Sequence, residues 1–261
     1  GGEEPELVVT NASQDVSVEL TLPPTGTLQV TAASVEEFPL PAHVIVVGRD
    51  PSPPFEAVEP WGMDPLPPGI SRMMDLPVSG SDSIQLEPGE YDIVVMRGME
   101  YDVHVESVTV ISNEVVTIDA TLTRVLDTAG MLCGDFHIHA AVGPDTELTD
   151  DDRVANFAAE GMEVLVPSNH AFVVDFAPMV ARLGLDGWVA TINSQEVTTF
   201  DYGHFGLFPM EVDPEMPNGG AFDWVGVSPT EIFEWGQQQD REMVVQINHP
   251  RAIPTPADMQ N

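Results

Sequence analysis

The chain has 261 residues, with 43 Asp and Glu against 8 basic residues, all of them Arg, and a formal charge of −35. A field of that sign repels nucleic acid and anionic membrane surfaces, so neither is expected as a partner. One cysteine, Cys133, excludes an intrachain disulfide, and no apolar run approaches the ~20 residues of a membrane span. The opening Gly-Gly-Glu-Glu-Pro reads as a flexible acidic tether, of the kind left behind a removed export signal or at an artificial junction.

The character of the chain changes near residue 125. Residues 1–125 hold short β-branched runs at 16–22, 27–31, 43–47, 83–86, 91–96, 101–105 and 115–122, several joined by turn formers such as Pro88-Gly89. They predict an antiparallel β-sandwich acting as an accessory unit. The Pro-rich stretch 50–70, with Phe55 and Trp61, reads as a long loop. His43 and His104 each stand alone in a strand-like run and read as ordinary strand histidines. The segment 85–95 resembles one hairpin of the carboxypeptidase-regulatory-like or transthyretin-like sandwiches.

Residues 126–261 alternate strand-like and helix-like segments, which predicts an α/β unit. The five remaining histidines, His137, His139, His170, His204 and His249, all fall here, each near the end of a strand-like run. The first run carries His137 and His139 two residues apart, so in a strand both point to one side and can converge on one cation. Thr149 is a fitting helix N-cap, with Asp150, Asp151 and Asp152 favouring the positive helix end and Gly161 the stop. A strand 162–170 ends at His170, a helix spans 176–184, and a strand 188–197 carries Glu196 near its end. A run at 205–208 follows His204. Ser228-Pro229-Thr230-Glu231 is a capping box opening a further helix, and a strand 242–249 ends at His249. Cys133 reads as core packing. Asp145 reads equally as a loop aspartate or as a ligand.

Five ordered motifs, Gly134-Asp-Phe-His-Ile-His139, Pro167-Ser-Asn-His170, Gln195-Glu-Val-Thr-Thr199, Gly203-His-Phe-Gly-Leu-Phe-Pro209 and Ile247-Asn-His-Pro250, resemble those of the polymerase and histidinol phosphatase (PHP) family over about residues 127–251. More narrowly they resemble its CehA/McbA-type branch. The resemblance implies a distorted (β/α)7 barrel, with two or three divalent ions of Zn, Mn or Fe, that hydrolyses a small-molecule ester or phosphoester with metal-activated water. It implies that His137 and His139 hold one ion, that Glu196 bridges two, that His204 and His249 hold the second, and that His170 approaches a third position or the substrate. Glu196, His170 and Asp145 would be the catalytic groups, and the protein would act outside the cytoplasm. Two departures stand out. Asn169 replaces a family aspartate, and the last family motif, an Asp-x-His after the final strands, is absent where the chain ends at Asn261, so the barrel is expected to be incomplete. The alternative is a degenerate, non-catalytic binding or scaffold protein at the cell surface.

Overall fold

A computed structural model describes residues 24–49, 70–143 and 145–250. The expected strand at 16–22, most of the Pro-rich stretch and the segment after Pro250 lie outside these residues.

The first unit packs two sheets face to face. One has the order β4-β1-β7, from β1 (Gly26–Ser34), β4 (Ser81–Leu86) and β7 (Val115–Leu122). The other has the order β3-β2-β5-β6, from β2 (Ala42–Gly48), β3 (Ile70–Leu76), β5 (Gly89–Met96) and β6 (His104–Val110). Strict alternation puts Leu28, Val30 and Ala32 of β1 and Ile118, Ala120 and Leu122 of β7 into one core with Val44, Val46, Ile93 and Val95 of the facing sheet. Burying each aliphatic side chain of this kind contributes roughly 1.5 to 3 kcal/mol. The sandwich is not wholly antiparallel, because β1 and β7 pair in parallel. Two further differences have local causes. The strand expected at 101–105 starts later, since Tyr101 bridges Arg124 and the Asp102 carboxylate accepts from Thr123 N. Strand β3 gave no alternating signal because its order comes from pairing along β2.

The second unit departs more from expectation. Strands β8 (Gly134–Ile138), β9 (Val164–Pro167) and β10 (Ala190–Thr191) form a parallel sheet of order β10-β9-β8. Helix α1 (Asp150–Ala159) supplies the crossover from β8 to β9, and α2 (Ala177–Arg182) lies between β9 and β10. Thr149 and Ser228 cap α1 and α3 (Pro229–Gln237) as expected, the latter in a complete capping box with Glu231. The single strand expected over 188–197 is broken: Ser194 Oγ donates to Pro167 O, and the chain leaves the parallel sheet to start a second one. That sheet, β11 (Gln195–Thr198), β12 (His204–Phe208) and β13 (Val244–Asn248), is antiparallel throughout.

The (β/α)7 barrel is therefore corrected. A β/α barrel needs parallel strands with helical crossovers, whereas β11 turns directly into β12 through residues 199–203. The described residues hold four small sheets and three short α-helices, without a closed barrel. No helix among them is long and apolar enough to cross a membrane.

Helix α1 packs on β2 and β3, so the two units meet along a seam. Arg97, 5% exposed, donates from Nη1 to Pro41 O at 2.6 Å and to Ala158 O at 2.7 Å, and its guanidinium lies 4.7 Å from the Trp188 ring centroid. Gly98, at φ +58°, abuts the carbonyl of Glu160 so closely that any side chain there would collide with it. Cys133 is only half-buried. It sits 3.5 Å from Met162 Sδ at the edge of a groove of about 590 Å³ along this seam, not in a core.

Candidate metal centre

Three backbone segments converge where the two sheets of the second unit meet. Ser168 N donates to Ile138 O, Glu196 N to Asn169 O and Ala171 N to Glu196 O, while His170 and Glu196 form a parallel bridge. Ala171 adopts φ +56°, the left-handed region that L-residues avoid. Such strain persists only where surrounding contacts impose it, and it often marks a functional site.

Glu196 stands at the centre with a side chain that is 0% exposed. Its Oε1 lies 3.0 Å from His137 Nε2, 3.3 Å from His204 Nδ1 and 3.3 Å from His249 Nε2. Its Oε2 lies 3.0 Å from His170 Nδ1 and 3.4 Å from His139 Nε2. Asp145 Oδ2 completes the far side, 3.1 Å from His170 Nε2 and 3.3 Å from His139 Nδ1. The five imidazoles close a ring. Centroid separations run 4.9 Å from His137 to His139, 4.7 Å to His170, 5.2 Å to His204, 4.7 Å to His249 and 5.7 Å back to His137.

Burial by itself would raise the pKa of Glu196, but the close approach of the His137, His170 and His204 rings and the hydrogen bond from Asn248 outweigh it and hold the carboxyl far below the usual range. The same carboxylate raises His137 and His170, whereas burial lowers His139. Two carboxylates, Glu196 and Asp145, cannot neutralise five adjacent imidazolium ions, so the rings cannot all be charged together, and a neutral ring has a lone pair to place.

The donor set fits divalent cations. His139 Nδ1, His204 Nδ1 and Glu196 Oε2 are buried with no hydrogen-bond partner. His170 Nδ1 is close to Oε2 but is hydrogen-bonded to Thr198 Oγ1, so we take the separation as proximity and not as a bond. Three overlapping sets have ligand atoms within 4.8 Å of one another: His137, His139 and Glu196; His170, Glu196 and His204; His139, Asp145 and His170. Neutral imidazole and carboxylate without thiolate suit Zn²⁺, Mn²⁺ or Fe²⁺.

All seven side chains singled out in the sequence are thus brought to one place. Three further residues support them. Asn169, fully buried, accepts from Ala140 N at 2.8 Å through Oδ1, which holds the chain just beyond His139. Thr198 was legible as a neighbour of Glu196, because residues two apart on a strand share a face. Asn248, which donates to Glu196 Oε1 at 2.8 Å, carried no signal beyond standing next to His249.

No family model matches the chain, and no curated protein does. Among solved structures, the chain is similar to the minor pilin GBS52 of Streptococcus agalactiae, at 17% identity and TM-score 0.29 over 40% of this chain and 46% of that one. It is similar to a streptococcal ancillary pilin at 17% identity and TM-score 0.30, over 38% of this chain and 32% of that one. The Bacillus anthracis TIE protein matches at 14% identity and TM-score 0.29, over 41% and 19%. The chain thus spans less than half the length of each of these neighbours.

PHP membership is corrected: no family model matches, and among the described residues the second unit has an antiparallel sheet where the family's barrel would need parallel strands. The ester-hydrolase activity and its substrate class came only with that resemblance, and they fall with it. The convergence of the side chains does not depend on it.

Proposed function

We propose that this chain is a non-catalytic binding or scaffold protein of the cell surface whose second unit, residues 126–261, is held together by divalent cations, with the sandwich of residues 1–125 as its accessory unit. The observation that carries this reading is the closed ring of five imidazoles around the fully buried Glu196. His137, His139, His170, His204, His249, Glu196 and Asp145 would hold two or three ions of Zn²⁺, Mn²⁺ or Fe²⁺.

Bound cations would replace the unsatisfied contacts of the buried nitrogens and of Glu196 Oε2, and would tie β8, the end of β9, β11, β12 and β13 to one another. Metal binding is then coupled to folding, because the unfolded chain offers no preformed site. The field of −35 concentrates cations from a surrounding medium in which they are free. That is the setting of a surface protein.

The test is metal content by mass spectrometry after chelation, dialysis and reloading with Zn²⁺ or Mn²⁺, paired with titration calorimetry. More than one ion retained per chain, and loss of that retention in Glu196→Gln, is the expected result. A chain that retains no Zn²⁺ or Mn²⁺ at micromolar concentration refutes the reading. Labelling of the protein on intact cells with a membrane-impermeant reagent tests its surface location.

A further inference from the structure

We propose that Asn248, steadied by Gln246, is a positioning residue for Glu196, and that Gly206 is the gap through which it acts across an intervening strand. The inference rests on the cation reading above, and it concerns how the central carboxylate is aimed.

In the sheet β11-β12-β13, Glu196 lies opposite Gly206, and Gly206 lies opposite Gln246. Glu196 and the β13 residues are therefore two strand spacings apart, roughly 9 to 10 Å between backbones. A side chain on the middle strand would ordinarily fill that interval. Gly206 leaves it open, and two amides run through it: Gln246 Nε2 donates to Asn248 Oδ1 at 3.0 Å, and Asn248 Nδ2 donates to Glu196 Oε1 at 2.8 Å. Gln246 and Asn248 are two residues apart on β13 and so share a face. Asn248 is 4% exposed, so its amide competes with little water.

The dimensions of the gap are specific. A Cβ at position 206 would sit 3.5 Å from Asn248 Oδ1, 3.5 Å from Gln246 Cβ and 3.8 Å from Asn248 Nδ2. A methyl group would touch the Asn248 amide and Gln246 Cβ at ordinary contact distance. A branched side chain would occupy the space of the Asn248 carboxamide and push it off the carboxylate.

The chemistry follows from what an amide can and cannot do. The Nδ2 group donates two hydrogens and has no lone pair for a cation. It occupies one lone-pair direction of Oε1 and fixes the carboxylate plane. Oε2 is left buried, without a hydrogen bond, beside His139 and His170. Gln246 fixes the amide in turn, since its donated hydrogen requires Asn248 to present oxygen to Gln246 and nitrogen to Glu196. Residues that orient a metal ligand in this way typically change affinity 10- to 100-fold when removed.

The experiment uses the whole chain loaded with Co²⁺, read by titration calorimetry and by the visible ligand-field bands, which report coordination geometry. Asn248→Leu keeps the approximate shape and removes the donor. The expected result is a loss of Co²⁺ affinity of about 10- to 100-fold with shifted bands, and a loss that grows from Gly206→Ala to Gly206→Val. Wild-type affinity and unchanged bands in a folded Asn248→Leu chain overturn the positioning role alone. If the wild-type chain binds no Co²⁺, the cation reading and the relay fall together. Should Asn248→Leu not fold, the side-chain amide resonances of Asn248 in the metal-free wild type decide. Slow exchange with solvent, and a shift of these signals in Glu196→Gln, support the relay. A freely exchanging amide that Glu196→Gln does not move overturns it.

Discussion

Glu196→Gln in the metal-free chain separates the electrostatic role of this carboxylate from its shape. The substitution keeps the side chain's volume and removes its charge from a site with no exposure. Breaking a buried charge pair by removing one partner costs about 3 to 5 kcal/mol. Here that figure holds only where the partners are charged. Glu196 has a depressed pKa, so its contribution is present above the unfolded value of about 4.3 and is lost only as pH falls through the far lower folded value. His137 and His170 are raised, so their contribution is complete below the unfolded value of about 6.5 and is lost as pH rises through their folded values. The window of maximal stabilisation therefore opens near pH 4.3 and closes above pH 6.5. Thermal unfolding at pH 5.5 is expected to show Glu196→Gln less stable by about 3 to 5 kcal/mol, and at pH 9 by only about 1 kcal/mol. Adding Zn²⁺ at 100 times its dissociation constant at pH 8 should stabilise the wild type by about 2.7 kcal/mol, or roughly 5 to 10 °C for a unit of this size, and the variant by far less. A deficit equal at both pH values, or equal Zn²⁺ stabilisation of both proteins, would refute the reasoning.

Three further perturbations address the rest of the molecule. His43, 7% exposed, is raised by its hydrogen bond to Asp75, at 2.6 Å, despite burial. His43→Gln should therefore cost about 1 to 3 kcal/mol at pH 6, and the deficit should shrink as pH rises through the folded pKa; a pH-independent deficit by urea denaturation contradicts this. Arg97→Met strands the Pro41 and Ala158 carbonyls and loses the Trp188 contact, which should destabilise the chain by roughly 2 to 4 kcal/mol and speed amide exchange at the end of α1; a loss under about 0.5 kcal/mol means that the seam does not depend on it. Ser228→Ala removes the Ser228 half of the capping box of α3 and should cost about 1 kcal/mol by denaturant titration, with Co²⁺ binding unchanged.

What could be read in the sequence was what depends on neighbours along the chain. Thr149 and Ser228 announced their helices because a cap is a local hydrogen bond. Strands β1, β5 and β7 showed themselves through alternation, since each has one buried face. What could not be read was pairing between distant segments. Nothing in residues 27–34 specifies that their partner 115–122 runs parallel to them. Nothing in the strand-like run 188–197 says that Ser194 will turn it out of one sheet into another. The barrel was an inference about topology from motifs that are local, and strand direction is settled by connections that those motifs do not contain.

The same distinction explains why the cluster survives the loss of the barrel. Convergence of His137, His139, His170, Glu196, His204 and His249 requires only that each sit near a strand end and that those ends meet; it does not require seven strands or one closed sheet. Here a parallel sheet and an antiparallel sheet meet edge to edge through the His170 and Glu196 bridge. Three of the histidines come from the first sheet and its loops, and His204 and His249 from the second, which also contributes Glu196. The carboxylate is therefore shared across the junction. With no cation, the junction relies on the His170 and Glu196 bridge, on the Ser194 hydrogen bond to Pro167 O and on contacts to a single buried charge, so it should be the first part of the second unit to open. Hydrogen exchange tests this: amides of residues 168–171 and 195–198 should exchange faster than those of β9 without metal, and slow selectively when Zn²⁺ is added. Uniform slowing across the whole unit, or none, would mean that cations do not join the two sheets.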